Sequence, residues 1–205
     1  LSYSRRVAYH PVVDILKASL DIFETDEDSE IWEKARNALK ILDLDEFSSL
    51  PYLLELFSVK DSGINEIPLS PEARKNRMME VIKLITLKNA EVRPLVTAYE
   101  DLHWSDKSSE EVLKYILESI PGARVLMIFT YRPEFMHTWG GRSYHSQVTL
   151  NRLSNRESLT MLAHLLGTEN VDKGLEDLIL EKPEGVPFFI EEFIRSLNDL
   201  RIINR

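Results

Sequence analysis

Two short apolar runs, separated by a single amphipathic stretch, do most to limit what this chain can fold into. Residues 93–99 form a β-branched run, and Arg124-Val125-Leu126-Met127-Ile128-Phe129-Thr130 is almost continuously apolar. Runs of this length suit strands buried on both faces of a parallel sheet. Between them, residues 105–120 carry apolar side chains at helical spacing and stop at Pro121-Gly122. Parallel neighbours cannot be joined by a tight hairpin, so strand, helix and strand in this length make one βαβ unit. Residues 147–150 suit a further short edge strand.

Both flanks read as helix. In residues 11–23, Val12, Val13, Ile15, Leu16, Leu20 and Phe23 recur at helical spacing behind Pro11, a residue suited to a first turn. Asp26-Glu27-Asp28 sets negative charge at the positive end of a helix running to about Leu42. Residues 46–57 make a third apolar-rich helix, with an offset expected at Pro51. Ser70-Pro71-Glu72 joins an N-cap, a first-turn proline and an early acid ahead of a long helix through Met78, Met79, Ile82 and Ile85. Beyond the βαβ unit, Ser154-Asn155-Arg156-Glu157 is a capping box before Leu159, Leu162, Leu165 and Leu166. Two more helices are expected over 171–180 and 187–200. The fold class is α/β and helix-rich, in three parts: helical 1–90, α/β 91–150 and helical 151–205.

Composition narrows the function classes. The formal net charge of the 205 residues is -9, which opposes a general nucleic-acid surface because phosphate binding needs clustered Lys and Arg. There is no cysteine, so disulfides, thiolate metal sites and cysteine nucleophiles are excluded together. No apolar run approaches a membrane span and no signal-peptide pattern opens the chain, so a cytoplasmic location and no membrane partner are expected. The opening Leu1-Ser2-Tyr3-Ser4-Arg5-Arg6 is no evident domain start, and the chain reads as a piece of a longer polypeptide.

The first strand ends in chemistry. Leu95-Val96-Thr97-Ala98-Tyr99 runs into Glu100-Asp101, two adjacent carboxylates at the edge where ligands of open α/β sheets collect. Such a pair can place one acid on Mg²⁺ and the other beside an attacking water; it also suits a solvated loop leading into a helix. Thr130 and Arg132 close the second strand, where a guanidinium can read phosphate and a hydroxyl can orient water, or where Arg132 can pair with Glu134. Asp101, His103 and Asp106 are a loose metal cluster at best, because the five histidines are scattered, and Ser105 and Asp106 read better as caps of the next helix. Gly185-Val186-Pro187 supplies a sharp turn and a first helical residue, with Phe188 and Phe189 expected in the core. No G-x-x-x-x-G-K-[ST] loop and no G-x-S-x-G elbow occurs.

The order of these segments carries a resemblance. Glu100-Asp101-Leu102-His103-Trp104-Ser105-Asp106 resembles the Walker B segment of the STAND class of AAA-like signalling ATPases. Thr130-Tyr131-Arg132-Pro133-Glu134-Phe135 is similar to that class's T-x-R sensor. Residues 150–166 resemble the start of its helical lid. Glu184-Gly185-Val186-Pro187-Phe188-Phe189-Ile190-Glu191-Glu192 is similar to its G-x-P element. The likeness covers about 94–201, with 9–23 a looser match to a helical insert, and is nearest to modules beside adenylate or guanylate cyclase domains and in large transcriptional regulators or kinases. Tyr99 stands where that family usually has a small or apolar residue, and Pro183 where Thr is common.

The resemblance implies a partial P-loop NTPase core: a βαβ remnant of a parallel sheet, with a helical insert before it and a helical lid after it. It implies Glu100 as the Mg²⁺-associated acid, Asp101 as the acid polarising water, and Arg132 with Thr130 as sensors of the γ-phosphate. Gly185 and Pro187 would lie near the adenine. ATP or ADP with Mg²⁺ is the implied cofactor set of the intact protein, a nucleotide-dependent switch in signal transduction. An output domain of the same polypeptide and self-association are the implied partnerships. The phosphate loop of that family lies upstream of these segments, so the residues here are expected to be inactive alone. Two other readings stay open, an interaction scaffold derived from an ATPase fold and an unrelated metal hydrolase using Asp101 and His103.

Overall fold

A computed structural model of the chain describes residues 9–168 and 170–203. The opening segment 1–6 read above lies outside them. The chain divides into two compact units, the first ending at His145 and the second beginning at Ser146.

In the first unit, four helices precede the sheet: α1 (His10–Ser19), α2 (Asp28–Ile41), α3 (Glu46–Leu56) and α4 (Pro71–Val92). Their starts are set locally. The Glu27 backbone N–H donates to the Glu30 carboxylate at 3.0 Å, closing a capping box on α2. Asp45 accepts from the Ser48 N–H at 2.8 Å at the head of α3, and Ser70 accepts from the Ala73 N–H at 3.2 Å at the head of α4. Helix α3 continues past Pro51. The carbonyl that proline leaves without a donor belongs to Phe47, which is 91% exposed, so water can take the place of the lost bond. Ile31, Ala35 and Leu39, at i, i+4 and i+8 along α2, form its buried stripe.

Two residues after α4 the chain enters β1 (Leu95–Tyr99), crosses through α5 (Lys107–Ser119) and returns as β2 (Val125–Phe129). The strands are parallel, in the register Leu95↔Val125 through Tyr99↔Phe129. Arg124 ties the sheet back to the helices: its side chain donates to the carbonyls of Ala90, at 3.1 Å, and Glu91, the last acceptors of α4. One face of the pair is covered, with Thr97 and Tyr99 buried among Val12, Leu16, Ile82, Ile85 and Ile116 around a cavity of about 30 Å³.

The expectation of strands buried on both faces fails. Val96, Leu126 and Ile128 are 62%, 57% and 45% exposed. Apolar composition reports what a strand can bury, whereas α1, α4 and α5 all gather on the same side of these two. The expected edge strand at 147–150 is absent too. Val148 and Leu150 are 79% and 91% exposed and join no ladder.

The second unit is a three-helix cluster: α6 (Asn155–Leu166), α7 (Lys173–Glu181) and α8 (Pro187–Asp199). Ser154 and Glu157 form the expected capping box, the Ser154 N–H donating to the Glu157 carboxylate at 2.8 Å. The Ser154 hydroxyl and backbone donors hold that carboxyl below its usual range. Leu162, Ile179, Ile190 and Ile194 make its core. Phe188 and Phe189, expected inside, are 63% and 54% exposed, because α8 turns its Ile190–Ile194 stripe inward. Among the described residues no helix is long and apolar enough to cross a membrane.

Leu113, fully buried in α5, anchors the first unit. Leu113→Ala is expected to cost about 2–5 kcal/mol in chemical denaturation, whereas Phe47→Ala stays within about 0.5 kcal/mol.

Candidate functional site

Parallel pairing sends the carboxyl ends of β1 and β2 to the same edge of the sheet. Because Tyr99 faces Phe129, the acidic pair and Thr130 leave the sheet side by side. Tyr99 is itself buried and stacks on Phe129 with ring centroids 5.4 Å apart, so its bulk fills the space beneath the turn. Burial pushes its phenol well above the usual tyrosine range.

Glu100 and Asp101 are both exposed. Asp101 is left-handed, with φ 53° and ψ 42°, a conformation that costs a non-glycine residue on the order of 1 kcal/mol. Thr130 holds it there. The Asp101 N–H donates to the Thr130 hydroxyl oxygen at 3.0 Å, and the Leu102 N–H donates to the Thr130 carbonyl at 2.8 Å. The Thr130 N–H in turn donates to the Tyr99 carbonyl at 3.0 Å. A single 3-10 turn follows over Leu102–Trp104, with Leu102 buried as its peg.

Arg132 does not pair with Glu134. Its guanidinium carbon lies 5.8 Å from the ring centroid of Trp104, a cation–π contact that holds the arginine beside the acidic turn. Asp106 belongs to α5: its carboxylate accepts from the Ser109 N–H at 3.0 Å and the Tyr9 N–H at 3.3 Å. Asp101, His103 and Asp106 therefore form no metal cluster. Among the described residues no group of three or more His, Asp or Glu side chains can hold a metal ion. Mg²⁺ asks less of a protein, one or two carboxylates completed by water and phosphate oxygens, and Glu100 with Asp101 fit that donor set.

Beyond Arg132 the chain is an irregular strap kept in place by rings. Trp139, 4% exposed, stacks on His137 at 5.6 Å and meets Phe129 at 6.1 Å. The Tyr131 hydroxyl lies 3.2 Å from His137 Nε2, and His145 presents an edge to the same imidazole. The Tyr144 hydroxyl donates to the Leu117 carbonyl at 2.8 Å, and Arg142 pairs with Glu118 at 2.9 Å, both on α5.

In the second unit Gly185 has φ 72°, and its carbonyl accepts the Leu153 N–H at 2.7 Å. A Cβ there would sit 2.3 Å from the Leu153 carbonyl oxygen. The close approach that this glycine permits is to its own chain. Pro187 is exposed and lines an open groove with Leu153, Met161 and His164.

Glu100, Asp101, Thr130 and Arg132 are thus gathered at one sheet edge, and Gly185 and Pro187 at one turn of the second unit. The clip made by Thr130 and the Trp104 partner of Arg132 were not read from the sequence. The register alone would have located the first, since residue 130 must lie beside residues 100 and 101 once 99 faces 129.

A family model described as Domain of unknown function (DUF8739) matches residues 154–205, within the second unit. No curated protein and no solved structure matches the chain.

Two measurements follow from this geometry. Gly185→Ala is expected to destabilise the second unit by at least about 2 kcal/mol in thermal unfolding, through both the left-handed backbone and the clash. Burial first, and His145 second, lower the proton affinity of His137. The unfolded chain then binds that proton more readily, so the stability His137 supports is complete above the ordinary histidine range. It is lost as pH falls through that range towards the depressed folded value. His137→Phe should flatten the decline of the denaturation midpoint between about pH 7 and pH 5.

Proposed function

We propose that these residues are the metal-and-sensor portion of a STAND-like regulatory ATPase, a partial P-loop NTPase core with a helical insert before it and a helical lid after it. The observation that carries the reading is the meeting of Glu100, Asp101, Thr130 and Arg132 at the carboxyl edge of a parallel pair. In this reading Glu100 holds the metal and Asp101 polarises the attacking water. Arg132, from its place over Trp104, reaches the γ-phosphate. Mg²⁺, when bound, neutralises charge on the transferred phosphoryl group. Gly185 shapes the turn that presents Pro187 to the base. The grip on phosphate would come from a loop outside these segments, since no G-x-x-x-x-G-K-[ST] pattern occurs in the sequence. Exchange of ATP for ADP would shift an attached cytoplasmic output domain between states.

A second reading, an interaction scaffold without turnover, is favoured by the apolar sheet face of Val96, Leu126 and Ile128 left open to solvent.

Titration of the chain with Mg·ATP is expected to show no micromolar binding; an affinity on the order of -8 kcal/mol would remove the claim that phosphate grip lies elsewhere. In a polypeptide carrying both this chain and a phosphate loop, Glu100→Gln and Arg132→Ala are each expected to lower ATP turnover by about a hundredfold. Unchanged turnover in both variants would remove these residues from the chemistry, and no turnover in the unsubstituted polypeptide would leave the scaffold reading standing.

A further inference from the structure

We infer that Thr130 is a positioning residue for Asp101, and that it ties the end of β2 to the acidic turn at the end of β1. The inference rests on the ATPase reading for what Asp101 does, and on the hydrogen bonds alone for what Thr130 does. Two consecutive backbone donors, of Asp101 and Leu102, point at one residue of the neighbouring strand, one to its hydroxyl oxygen and one to its carbonyl. Between them they fix both peptide planes that flank Asp101. A carboxylate on a left-handed residue has its Cα–Cβ direction set by that backbone, so the hold on the peptide planes is a hold on the acid.

This differs from a hydroxyl that reads phosphate directly. The Thr130 oxygen already accepts an amide proton, and its own N–H is spent on the Tyr99 carbonyl. The side chain keeps its hydroxyl proton and a second lone pair, so the clip occupies only part of its hydrogen-bonding capacity. Valine has the shape of threonine without the acceptor; serine has the acceptor without the methyl. The two substitutions therefore separate the hydrogen bond from packing.

A mechanical consequence follows. Arg132 lies two residues beyond Thr130, so a displacement of the arginine that drags the end of β2 also pulls on the Asp101 and Leu102 amides. The hydroxyl bond is the part of that tie that reaches Asp101 directly, beside the backbone bonds to Leu102 and Tyr99.

Amide hydrogen exchange on this chain tests the clip. Thr130→Val is expected to speed exchange of the Asp101 N–H by about tenfold or more, and Thr130→Ser to leave it within about twofold. The Leu102 N–H, bonded to the Thr130 carbonyl, should stay protected in both, which also verifies that the variants fold. In the ATP-hydrolysing polypeptide, Thr130→Val is expected to lower kcat about tenfold with KM nearly unchanged, and Thr130→Ser to restore kcat. Unaltered Asp101 exchange in Thr130→Val overturns the clip. Normal kcat in Thr130→Val, where Asp101→Asn has abolished turnover, overturns the positioning role. Normal turnover in Asp101→Asn would instead overturn the ATPase reading, and the positioning of a catalytic acid with it.

Discussion

The parallel register of two five-residue strands is the constraint on which the rest depends. Had β1 and β2 run antiparallel, residue 130 would lie beside the start of β1, about 16 Å from the acidic pair at the strand rise of about 3.3 Å. Parallel pairing requires the α5 crossover, and α5 in turn needs a firm start. Asp106 supplies that start by accepting from the Ser109 N–H while also taking the Tyr9 N–H from the head of α1. A cap on one helix therefore also joins the helical half to the α/β unit.

The helical half does more than precede the sheet. Helix α4 leads into β1 after two residues, and Arg124 binds the last carbonyls of α4 just as β2 begins. Both strands are thus anchored at their amino ends to one helix terminus. Their carboxyl ends are joined instead by Thr130, through bonds to Tyr99, Asp101 and Leu102. A two-stranded sheet is marginal by itself. Here it is held at both ends, and it packs one face on α1, α4 and α5, which accounts for its order despite the bare face opposite.

What the sequence made legible was local. The helix starts at Ser70, Asp106 and Ser154 were readable because capping is decided within four residues. The strands were readable because β-branched runs bounded by turn residues have few other uses. Burial of both strand faces and of Phe188 and Phe189 was misjudged, because apolar character states capacity and only the placement of other elements decides whether it is filled. The gathering of Glu100, Asp101, Thr130 and Arg132 followed from the βαβ reading, whereas the clip required the exact register, which no local pattern encodes. Asp106 was correctly a cap; its competing role in a metal cluster failed because both of its oxygens already serve α5 and Tyr9.

The ATPase and scaffold readings ask different things of the acidic turn. The left-handed backbone of Asp101 does not separate them, since Asp21, Asp43 and Asp61 adopt the same conformation, at φ 53°, 53° and 57°, in ordinary turns. The arginine is the sharper difference: a scaffold has no need of a guanidinium drawn over an indole when a carboxylate two residues away, Glu134, is available to pair with it. The proposed metal-and-water site would need a cation that is near without being neutralised. Preorganisation of this kind is what a charge-stabilising site requires, since fixed groups avoid reorganisation as charge develops. The bare face of Val96, Leu126 and Ile128 is the observation on the scaffold's side, because an open apolar sheet face can take an apolar cover. The physical difference between the two lies in the open charge at the sheet edge, which the proposed ATPase would use and a scaffold would not.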